Sequence, residues 1–380
     1  MTAAGPRIGR ADPPGDRARP SGLPENAGVA DRLEEYRRKR NAARTPEPVP
    51  AERPRRRRAT GDRARFVIQQ HHARSLHWDL RLEHDGVLAS WAVPRGLPRE
   101  PGRNHLAVHT EDHPMEYLDF SGEIPAGEYG GGRMTIHDQG TYRCEKWQDR
   151  EVVVELHGAR TSGRYVLFAT GSRDGRDGRD WMVRRTDPAP PGWTSMPELV
   201  EPMHPTPTGR LPADQANWGY ELRWDGVRAM AYVSGGRLRL LSGTGEEITG
   251  TYPWLRPMAE ALAPTEAVLD GVLVRIDRAG RVRPARGGRS TADAQYLLVD
   301  LLWLEGLNST DLPYPQRREL LDGLALAGPH WQTPPWFPGT GAEALRTARE
   351  QGLPGVVAKR LDSVYQPGRR SPAWRSVDAS

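Results

Sequence analysis

Residues 71–86 read HHARSLHWDLRLEHDG, a run in which polar and apolar side chains alternate. In an extended strand, successive side chains point to opposite faces, so His77, Asp79 and Arg81 share one face. The opposite face carries the apolar residues Trp78, Leu80 and Leu82. An imidazole and a carboxylate can hold a divalent metal ion, and a guanidinium beside them can bind an anionic oxygen. The run therefore predicts a β-strand with one core face and one face suited to metal and anion binding.

The composition indicates two folded domains and an unfolded part. The chain has 380 residues, of which 37% are hydrophobic. No run approaches the roughly 18 apolar residues of a membrane span, and the first residues lack the apolar centre of a secretory signal. We therefore expect a cytoplasmic, nucleoid-associated protein with no membrane partner. The single cysteine, Cys144, excludes an internal disulfide framework, so any metal would have nitrogen and oxygen ligands.

The basic residues are numerous and unevenly placed. The formal net charge is +5, and only three of the 54 basic residues are lysines: Lys39, Lys146 and Lys359. Arginine-rich runs occur at 36–40 (YRRKR) and 54–58 (PRRRR). This charge balance favours a polyanionic partner, with nucleic acid as the natural candidate, although such runs are equally typical of a solvated tail.

Hydrophobic patterning divides the chain. From residue 65, short alternating runs separated by Gly, Asp and Pro predict seven or more strands, which is typical of a barrel or a sandwich. Later strand patterns are mixed with helical patterns at 313–328 and 340–352, which predicts an α+β domain. The predicted division is a disordered tail at 1–31, a β-rich domain with a leader segment at 32–190, a proline-rich linker at 191–212 and a second domain at 213–380.

Histidines cluster in the first domain. Seven of the eleven histidines lie within 43 residues: His71, His72, His77, His84, His105, His109 and His113. A single histidine on a strand is more often structural than functional. The clustering, together with histidine, aspartate and arginine on one strand face, favours a functional site.

Three stretches of the first domain resemble a known family. They are YRRKRNAARTPEP (36–48), RFVIQQHHARSLHWDLRLEHDGVLASWAVPRG (65–96) and HLAVHTEDHPMEYLDFSGEIPAGEYGGG (105–132). The match, over about 32–190, is to the 3'-phosphoesterase domain of bacterial DNA ligase D, the enzyme of non-homologous end joining. The resemblance implies a compact β-barrel that uses manganese, or another divalent metal, to remove a terminal ribonucleoside and then a 3'-phosphate from DNA ends.

The resemblance also implies roles for particular residues. The implied metal ligands are His71, His77 and Asp79. The implied catalytic residues are Arg81 and His113, which would engage the phosphate, and Tyr117, which would assist. Phosphate or DNA contacts are implied for Gln69, Arg40, Glu47 and Glu111, and also for Arg95 and His105, which stand where the family commonly has lysine and arginine. The leader departs from the family at Asn41 and Ala42, where an acidic and an aromatic residue are usual.

Elementary chemistry agrees with these roles. Two imidazoles and one carboxylate leave open positions on a divalent ion, which can then act on a phosphoryl oxygen and on water. Arg81 is permanently charged and can hold two oxygens of one phosphate. A histidine with a pKa near neutrality can donate a proton to the phosphate, which is the role expected of His113.

The second domain resembles the nucleotidyltransferase domain of ATP-dependent DNA ligases. The matching stretches are YELRWDGVRAMAYV (220–233), VLDGVLVRID (268–277), YLLVDLLWLEG (296–306) and GLPGVVAKRLDSVYQPGRRSPAWRSVD (352–378). The family's nucleophile is the lysine of K-x-D-G, and here Arg223 precedes Trp224, Asp225 and Gly226. Val272 and Pro354 replace two acids. Of the family's motif lysines, only Lys359 is retained.

These substitutions predict a degenerate domain. A ligase lysine attacks the α-phosphate of ATP as a neutral amine, whereas arginine stays protonated. We therefore expect no use of ATP, and we expect the adenylation domain to stand without the OB domain that ligases use to wrap DNA.

The sequence thus predicts a metal-dependent DNA 3'-phosphatase of double-strand break repair, with 3'-ribonuclease activity left open, joined to a ligase-like domain without activity. Two alternatives remain: a non-catalytic scaffold that binds DNA ends, and an ATP-dependent DNA ligase. The expected partners are DNA 3'-ends, with Ku and a separate DNA ligase or polymerase as further candidates that the resemblance implies.

Overall fold

The computed structural model describes residues 32–50, 64–171, 178–276, 282–284 and 294–379. The predicted disordered tail at 1–31 and the arginine run at 54–58 lie outside the described residues. No helix in the described ranges is long and apolar enough to cross a membrane.

The described residues of the first domain form one short α-helix, one 3-10 helix (Met115–Asp119) and nine strands. The α-helix is α1 (Glu34–Arg38). The strands are β1 (Ala64–His72), β2 (Leu76–His84), β3 (Val87–Val93), β4 (Asn104–His109), β5 (Gly122–Ile124), β6 (Gly132–Gln148), β7 (Glu151–Gly158), β8 (Ser162–Ala169) and β9 (Asp180–Arg185).

Eight of these strands close into an antiparallel barrel. The order is β1-β2-β3-β4-β9-β8-β7-β6, and β6 pairs back onto β1. The short strand β5 adds to β6 outside this circle. The closure confirms the predicted barrel and removes the sandwich alternative. A closed barrel has no unpaired sheet edge.

The alternation in β2 separates the core from the site, as the sequence predicted. Trp78 and Leu80 lie in the apolar barrel core with Phe66 and Trp91. The alternating side chains of His77, Asp79 and Arg81 therefore lie on the outer face of the barrel. The register places His71 of β1 opposite His77 of β2, so two histidines from neighbouring strands meet on this face.

The leader covers that outer face. Leu33 and Tyr36 are fully buried and pack against Val67, Leu88 and Tyr117 of the barrel. The Tyr36 hydroxyl donates a hydrogen bond to the Pro48 carbonyl oxygen at 2.8 Å, which closes the leader on itself. The helix of the leader, α1, ends before the prolines at 46, 48 and 50.

Within the described residues, the second domain has three α-helices, three short 3-10 helices and two sheets. The α-helices are α2 (Arg256–Leu262), α3 (Tyr314–Gly323) and α4 (Gly341–Glu350). The strands are β10 (His204–Thr208), β11 (Trp218–Arg223), β12 (Val227–Ser234), β13 (Arg237–Ser242), β14 (Ala267–Ile276), β15 (Val282–Pro284), β16 (Ala294–Leu304), β17 (Leu307–Asn308), β18 (Ala327–Gly328), β19 (Trp331–Gln332), β20 (Trp336–Pro338), β21 (Gly355–Arg360) and β22 (Arg370–Asp378).

The two sheets have the orders β10-β22-β21-β11-β20 and β13-β12-β14-β16-β19-β18, with β15 on β14 and β17 on β16. Antiparallel and parallel pairs both occur, which agrees with the predicted α+β class.

The predicted linker differs from the structure in one respect. Strand β10 lies within 191–212 and pairs in parallel with β22, so this part of the segment belongs to the second domain. Its prolines, Pro205 and Pro207, suggested an irregular linker. They are tolerated because β10 is an edge strand, and proline can occur in edge strands, where a missing N–H leaves no neighbour unpaired.

The packing of the leader leads to a first prediction. Replacing the fully buried Tyr36 by alanine should cost about 3 kcal/mol of leader docking, because a large aromatic side chain leaves a cavity. Hydrogen exchange of residues 32–50 should become faster, while the barrel strands stay protected. Glu34→Ala, at an exposed position of the same helix, is the matched control. Unchanged exchange of the leader in Tyr36→Ala would show that another contact holds it.

Candidate metal and phosphate site

The outer face of the barrel and the leader enclose a cavity of about 240 Å³. It brings together most of the residues singled out in the sequence: Arg40, Glu47, His71, His77, Asp79, Arg81, Glu111, His113 and Tyr117. Strands β1 and β2 supply His71, His77, Asp79 and Arg81. The leader supplies Arg40 and Glu47, and the segment after β4 supplies Glu111, His113 and Tyr117. Contacts among these residues that span up to 73 residues of sequence, as between Arg40 and His113, thus lie within one cavity.

His71, His77 and Asp79 form a cluster with the geometry of a metal site. One potential ligand atom from each residue lies within 4.8 Å of the others. The His71 Nδ1 atom is 3.8 Å from Asp79 Oδ2, and the His77 Nε2 atom is 3.7 Å from Asp79 Oδ1. His71 and Asp79 are buried, and His77 is half-buried, so the cluster is open to solvent on one side only.

Backbone carbonyls orient both imidazoles. The His71 Nε2–H donates to the Gly130 carbonyl oxygen at 2.9 Å, and the His77 Nδ1–H donates to the Ser75 carbonyl oxygen at 3.0 Å. These bonds select the tautomers that leave His71 Nδ1 and His77 Nε2 with lone pairs, and both of these atoms face Asp79. Burial lowers the pKa of His71, which also favours the neutral, ligating form. The residues present therefore fit a divalent ion.

Arg81 is fixed beside the metal cluster. Its Nε donates to Gln69 Oε1 at 2.7 Å, its Nη1 to Ser90 Oγ at 3.0 Å and its Nη2 to Asp79 Oδ2 at 3.0 Å. The guanidinium also lies 4.7 Å from the centre of the Tyr117 ring. A guanidinium has five N–H groups, so Nη1 and Nη2 each keep one for an anion in the cavity.

Gln69 orients Arg81 by accepting a hydrogen bond from its Nε. Its amide nitrogen donates to the carbonyl oxygens of Tyr117 and Phe120, at 3.1 and 2.8 Å, and its amide oxygen accepts from Arg81. The side chain is fully buried and does not line the cavity. The structure thus places Gln69 as a positioning residue for Arg81 rather than at the phosphate position that the sequence suggested.

Arg40 joins the leader to the other side of the cavity. Its guanidinium pairs with Glu47 at 2.7 Å and with Glu111 at 2.9 Å, and it donates to His113 Nε2 at 3.3 Å. The Tyr117 hydroxyl donates to the same Glu47 carboxylate at 2.5 Å. These residues form one buried, charge-paired network, so each fixes the position of the next.

His113 differs from the expectation in its protonation. Burial, followed by the charges of Arg81 and Arg40, lowers the pKa of His113 well below its usual value, so the expected near-neutral pKa is wrong for this arrangement. Its Nδ1–H donates to the Glu111 carbonyl oxygen at 2.8 Å. The remaining nitrogen, Nε2, is therefore an acceptor, occupied here by Arg40. In this form the imidazole can accept a proton or orient Arg40, but it has no proton to give to a phosphate.

Besides Gln69, two predicted residues, Arg95 and His105, do not line this cavity. Arg95 lines a separate cavity of about 340 Å³ with Trp78 and Tyr165, whose rings belong to the barrel core. His105 is buried, and its Nδ1–H donates to the Gly96 carbonyl oxygen at 2.8 Å. Trp78 and Asp79 point to opposite faces of β2, so both Arg95 and His105 lie on the wrong side of the strand for the same phosphate.

The structure adds residues that the sequence did not reveal. Ser90 holds Arg81, Gly130 orients His71, and Lys39 pairs with Glu111 at 2.9 Å. Tyr129 lies at the cavity wall beside Lys39. Ser90 stands directly opposite Arg81 in the β2–β3 register, so a correct strand alignment would have found it. Gly130 contributes a backbone carbonyl oxygen, which every residue type has, so its role cannot be identified from the sequence.

In the second domain, Arg223 at the end of β11 is held by neighbours. Its Nη2 lies 2.6 Å from Asp378 Oδ1 and donates to the Pro354 carbonyl oxygen at 2.9 Å. Asp225 is exposed in the following turn, and Gly226 passes so close to the Leu273 carbonyl that a side chain would clash. The K-x-D-G position is thus occupied by an ion-paired guanidinium.

An apolar cluster surrounds Val272, one of the two positions at which an acid is missing. Val272 is 8% exposed and packs with Val274, Leu297 and Val299, and Trp224 lies against this cluster. Pro354 contributes only its carbonyl oxygen, which accepts from Arg223 and from the Ala379 amide. These positions supply no carboxylate for a metal ion.

Lys359 is buried among acceptors. Its Nζ donates to Glu221 Oε1 at 2.8 Å and to the Val299 carbonyl oxygen at 2.9 Å, and it lies 3.4 Å from Asp300 Oδ2. The ammonium also stands 4.3 Å from the centre of the Trp374 ring. All three of its protons have acceptors within the domain.

Comparison with known proteins agrees with this division. Residues 69–169 match the family described as the DNA ligase D 3'-phosphoesterase domain, and residues 197–377 match the ATP dependent DNA ligase domain. The chain joins a DNA ligase D 3'-phosphoesterase domain to an ATP-dependent DNA ligase domain. Both resemblances inferred from the sequence are confirmed.

Curated relatives extend the match over both domains. The multifunctional non-homologous end joining DNA repair protein LigD of Mycobacterium tuberculosis is 45% identical over 362 residues, which are 93% of this chain and 46% of the relative. LigD of Mycolicibacterium smegmatis is 42% identical over 383 residues, 97% of this chain and 48% of the relative. The chain therefore spans about half the length of the curated relatives that it matches.

Solved structures match the ligase domain. A structure of mycobacterial DNA ligase D complexed with ATP and MES is 37% identical, with a TM-score of 0.43, and the match covers 47% of this chain and 60% of that one. The ligase domain of LigD from M. tuberculosis gives the same identity and coverage, with a TM-score of 0.44.

The phosphoesterase geometry makes a direct prediction about metal binding. Asp79→Asn should weaken Mn²⁺ binding by at least about 100-fold, because it removes the only carboxylate of the cluster. The electron paramagnetic resonance signal of free Mn²⁺, followed in a titration, measures this. Asp119→Asn, at an exposed position of the same domain, is the matched control and should bind as the wild type does. Equal affinity in the two variants would place the ion elsewhere.

Proposed function

We propose that this chain is a manganese-dependent DNA 3'-phosphoesterase in which the ligase domain has lost its chemistry. The phosphoesterase part of the proposal rests on the cluster of His71, His77 and Asp79, whose potential ligand atoms lie within 4.8 Å of one another. Arg81 donates a hydrogen bond to Asp79 beside this cluster. The names of the relatives, which refer to non-homologous end joining, favour broken DNA ends as the substrate class.

In this proposal, the chain's own residues bind and orient the 3'-phosphate. A divalent ion at the cluster would supply Lewis acidity and an activated water nucleophile. Arg81 offers one N–H from each terminal nitrogen, so it can hold two phosphate oxygens and stabilise the charge that builds up on them. Arg40 and Lys39 add positive charge on the leader side, and Glu47 and Glu111 fix where that charge lies.

His113 acts as a neutral group in this scheme. Because its Nδ1–H is committed to Glu111, only Nε2 can exchange a proton, and Arg40 must move from it before it does so. The approach of a phosphate dianion would raise the pKa of His113, since a nearby negative charge favours the imidazolium. The same dianion would draw Arg40 toward itself, which would free Nε2 at the moment when a proton is needed.

The absence of ligase chemistry rests on a separate observation. The position of the nucleophilic lysine carries an arginine paired with Asp378, and the surroundings of Val272 are apolar. A guanidinium cannot form the lysyl adenylate, and an apolar cluster cannot hold a metal ion beside ATP. Ku and a separate DNA ligase or polymerase are proposed as partners that would complete end joining.

Two other functions lead to different results. A non-catalytic scaffold would bind DNA ends without releasing phosphate, and the complete set of proposed ligands argues against it. An ATP-dependent ligase would need another nucleophile, and Lys359, whose protons all have acceptors, is poorly suited.

The phosphoesterase proposal predicts manganese-dependent conversion of a 3'-phosphate primer-template to a 3'-hydroxyl. Arg81→Ala should lower the rate by roughly two to three orders of magnitude, because a charge-assisted contact to a transferring phosphate contributes about 2 to 4 kcal/mol. Arg81→Lys should recover only part of this loss, since an ammonium lacks the planar fork. Denaturing electrophoresis of labelled primers measures the conversion, with Asp79→Ala as the inactive reference. Full activity of Asp79→Ala with metal still required would show that the ligands are misassigned.

The ligase proposal predicts that labelled ATP leaves no covalent adduct on the denatured protein and that a nick is not sealed. Arg223→Lys alone should also remain unlabelled, because Val272 and Pro354 still provide no carboxylate. Denaturing electrophoresis after incubation with [α-³²P]ATP and a divalent metal tests both proteins. A labelled wild-type band that disappears in Lys359→Ala would identify an active ligase nucleophile and overturn the proposal.

A further inference from the structure

A half-exposed aromatic ring stands at the mouth of the metal cavity. Tyr129 lines the cavity and is 50% exposed, and it is the only aromatic residue among the exposed large apolar side chains of the described ranges. It directly precedes Gly130, whose carbonyl oxygen orients His71. The ring is therefore one residue away from a group that shapes the metal cluster, yet no step of the proposed reaction uses it.

The segment that carries Tyr129 is rigid. The Glu128 amide donates to the Pro125 carbonyl at 3.1 Å, and the Gly131 amide donates to the Glu128 carbonyl at 3.0 Å. Glu128 is also paired with Arg44 of the leader at 2.8 Å. Gly130 has a φ of +76°, which favours glycine and allows the chain to turn there. A ring on such a tight turn is presented to solvent in a fixed place.

Two cations of the leader support the ring from one side. Lys39 Nζ lies 4.7 Å from its centre and donates to the Tyr129 hydroxyl at 3.3 Å, and the Arg40 guanidinium lies 5.4 Å from its centre. Both cations lie within cation–π distance of the ring, while half of the residue's surface stays in water. An exposed ring at a cavity lined by proposed ligands is available to a substrate that enters the cavity.

A 3'-phosphate bound at Arg81 fixes what can reach this ring. The phosphate is the end of the strand, so the nucleoside that bears it must lie toward the cavity mouth. Nucleobases stack on exposed aromatic side chains, and positive charge beside the ring can meet the next phosphate of the strand. Lys39 lies beside the ring, where its ammonium is paired with Glu35 and Glu111 and adds positive charge near the cavity mouth.

We propose that Tyr129 is the stacking platform for the terminal nucleobase of the DNA strand whose 3'-end enters the metal cavity. This inference rests on the proposed function for the direction of the strand. Stacking is tolerant of base identity because every base has a π-face, so the platform recognises a nucleoside rather than a sequence.

The test compares two 3'-phosphate primer-templates that differ only in the last residue, one with a normal nucleotide and one with an abasic tetrahydrofuran. Fluorescence anisotropy with the full chain, without divalent metal, measures binding independently of turnover. Wild type should bind the base-bearing end about 10-fold more tightly than the abasic end. Tyr129→Ala should lose this difference, and Tyr129→Phe should keep it, since the ring and not the hydroxyl stacks.

Leu106→Ala is the matched control, because Leu106 is a 40% exposed apolar side chain outside the cavity, and it should keep the 10-fold difference. In turnover, Tyr129→Ala should raise KM for the base-bearing substrate about 10-fold, with kcat within about 2-fold of wild type.

The outcomes separate the two proposals. If wild type has no base preference, or if Tyr129→Ala retains it, the platform is refuted even when phosphatase activity is present. If the preference exists and depends on Tyr129, but no 3'-phosphate is released with manganese, the platform stands and the phosphoesterase proposal fails.

Discussion

The buried contact between Arg81 Nη2 and Asp79 Oδ2, at 3.0 Å, is the interaction on which the site depends. It links Asp79, a proposed metal ligand, to Arg81, which is proposed to donate hydrogen bonds to the phosphate. The two residues are two positions apart on the same strand face. Burying an unpaired guanidinium or carboxylate would cost several kcal/mol, so both must be surrounded by partners. Gln69 and Ser90 complete the set around Arg81, and the imidazoles of His71 and His77 stand beside the aspartate. The ion pair thereby joins the proposed metal ligand Asp79 and the proposed phosphate-binding residue Arg81 by a direct hydrogen bond.

The two domains use buried charge in opposite ways. In the phosphoesterase domain, Arg81 keeps donors for an anion, and the histidines keep lone pairs that face a common point. In the ligase domain, Lys359 and Arg317 share the Asp300 carboxylate, and the three groups satisfy one another. Burial raises the free energy of the charged Asp300, and Arg317 together with Lys359 overcomes this and lowers the pKa of the carboxyl. A network closed in this way stabilises the fold, because each buried charge has a partner.

Local alternation made much of this predictable. The period of two in HHARSLHWDLRLEHDG separated Trp78 and Leu80 from Asp79 and Arg81 before any contact was known, because side chains of a strand must point to alternate faces. The prolines of the leader and the helical patterns of α3 and α4 were equally local signals. Arg223 was also readable directly, since the loss of an amine nucleophile is a property of residue type and needs no coordinates.

What only the tertiary structure decided is which groups meet and in what protonation state. Barrel closure between β1 and β6, with β5 added beside it, brings the Gly130 carbonyl to His71. Burial of His113, followed by the charges of Arg81 on β2 and Arg40 on the leader, lowers the pKa of that imidazole. The same closure sends Arg95 and His105 to the other face of β2, although the sequence placed them with the phosphate ligands. The sequence by itself determined the strand, its two faces and the missing lysine, because these follow from local geometry and residue chemistry. The cavity, the tautomers and the exposed ring of Tyr129 depend on contacts between residues far apart in the chain, and no local pattern encodes those distances.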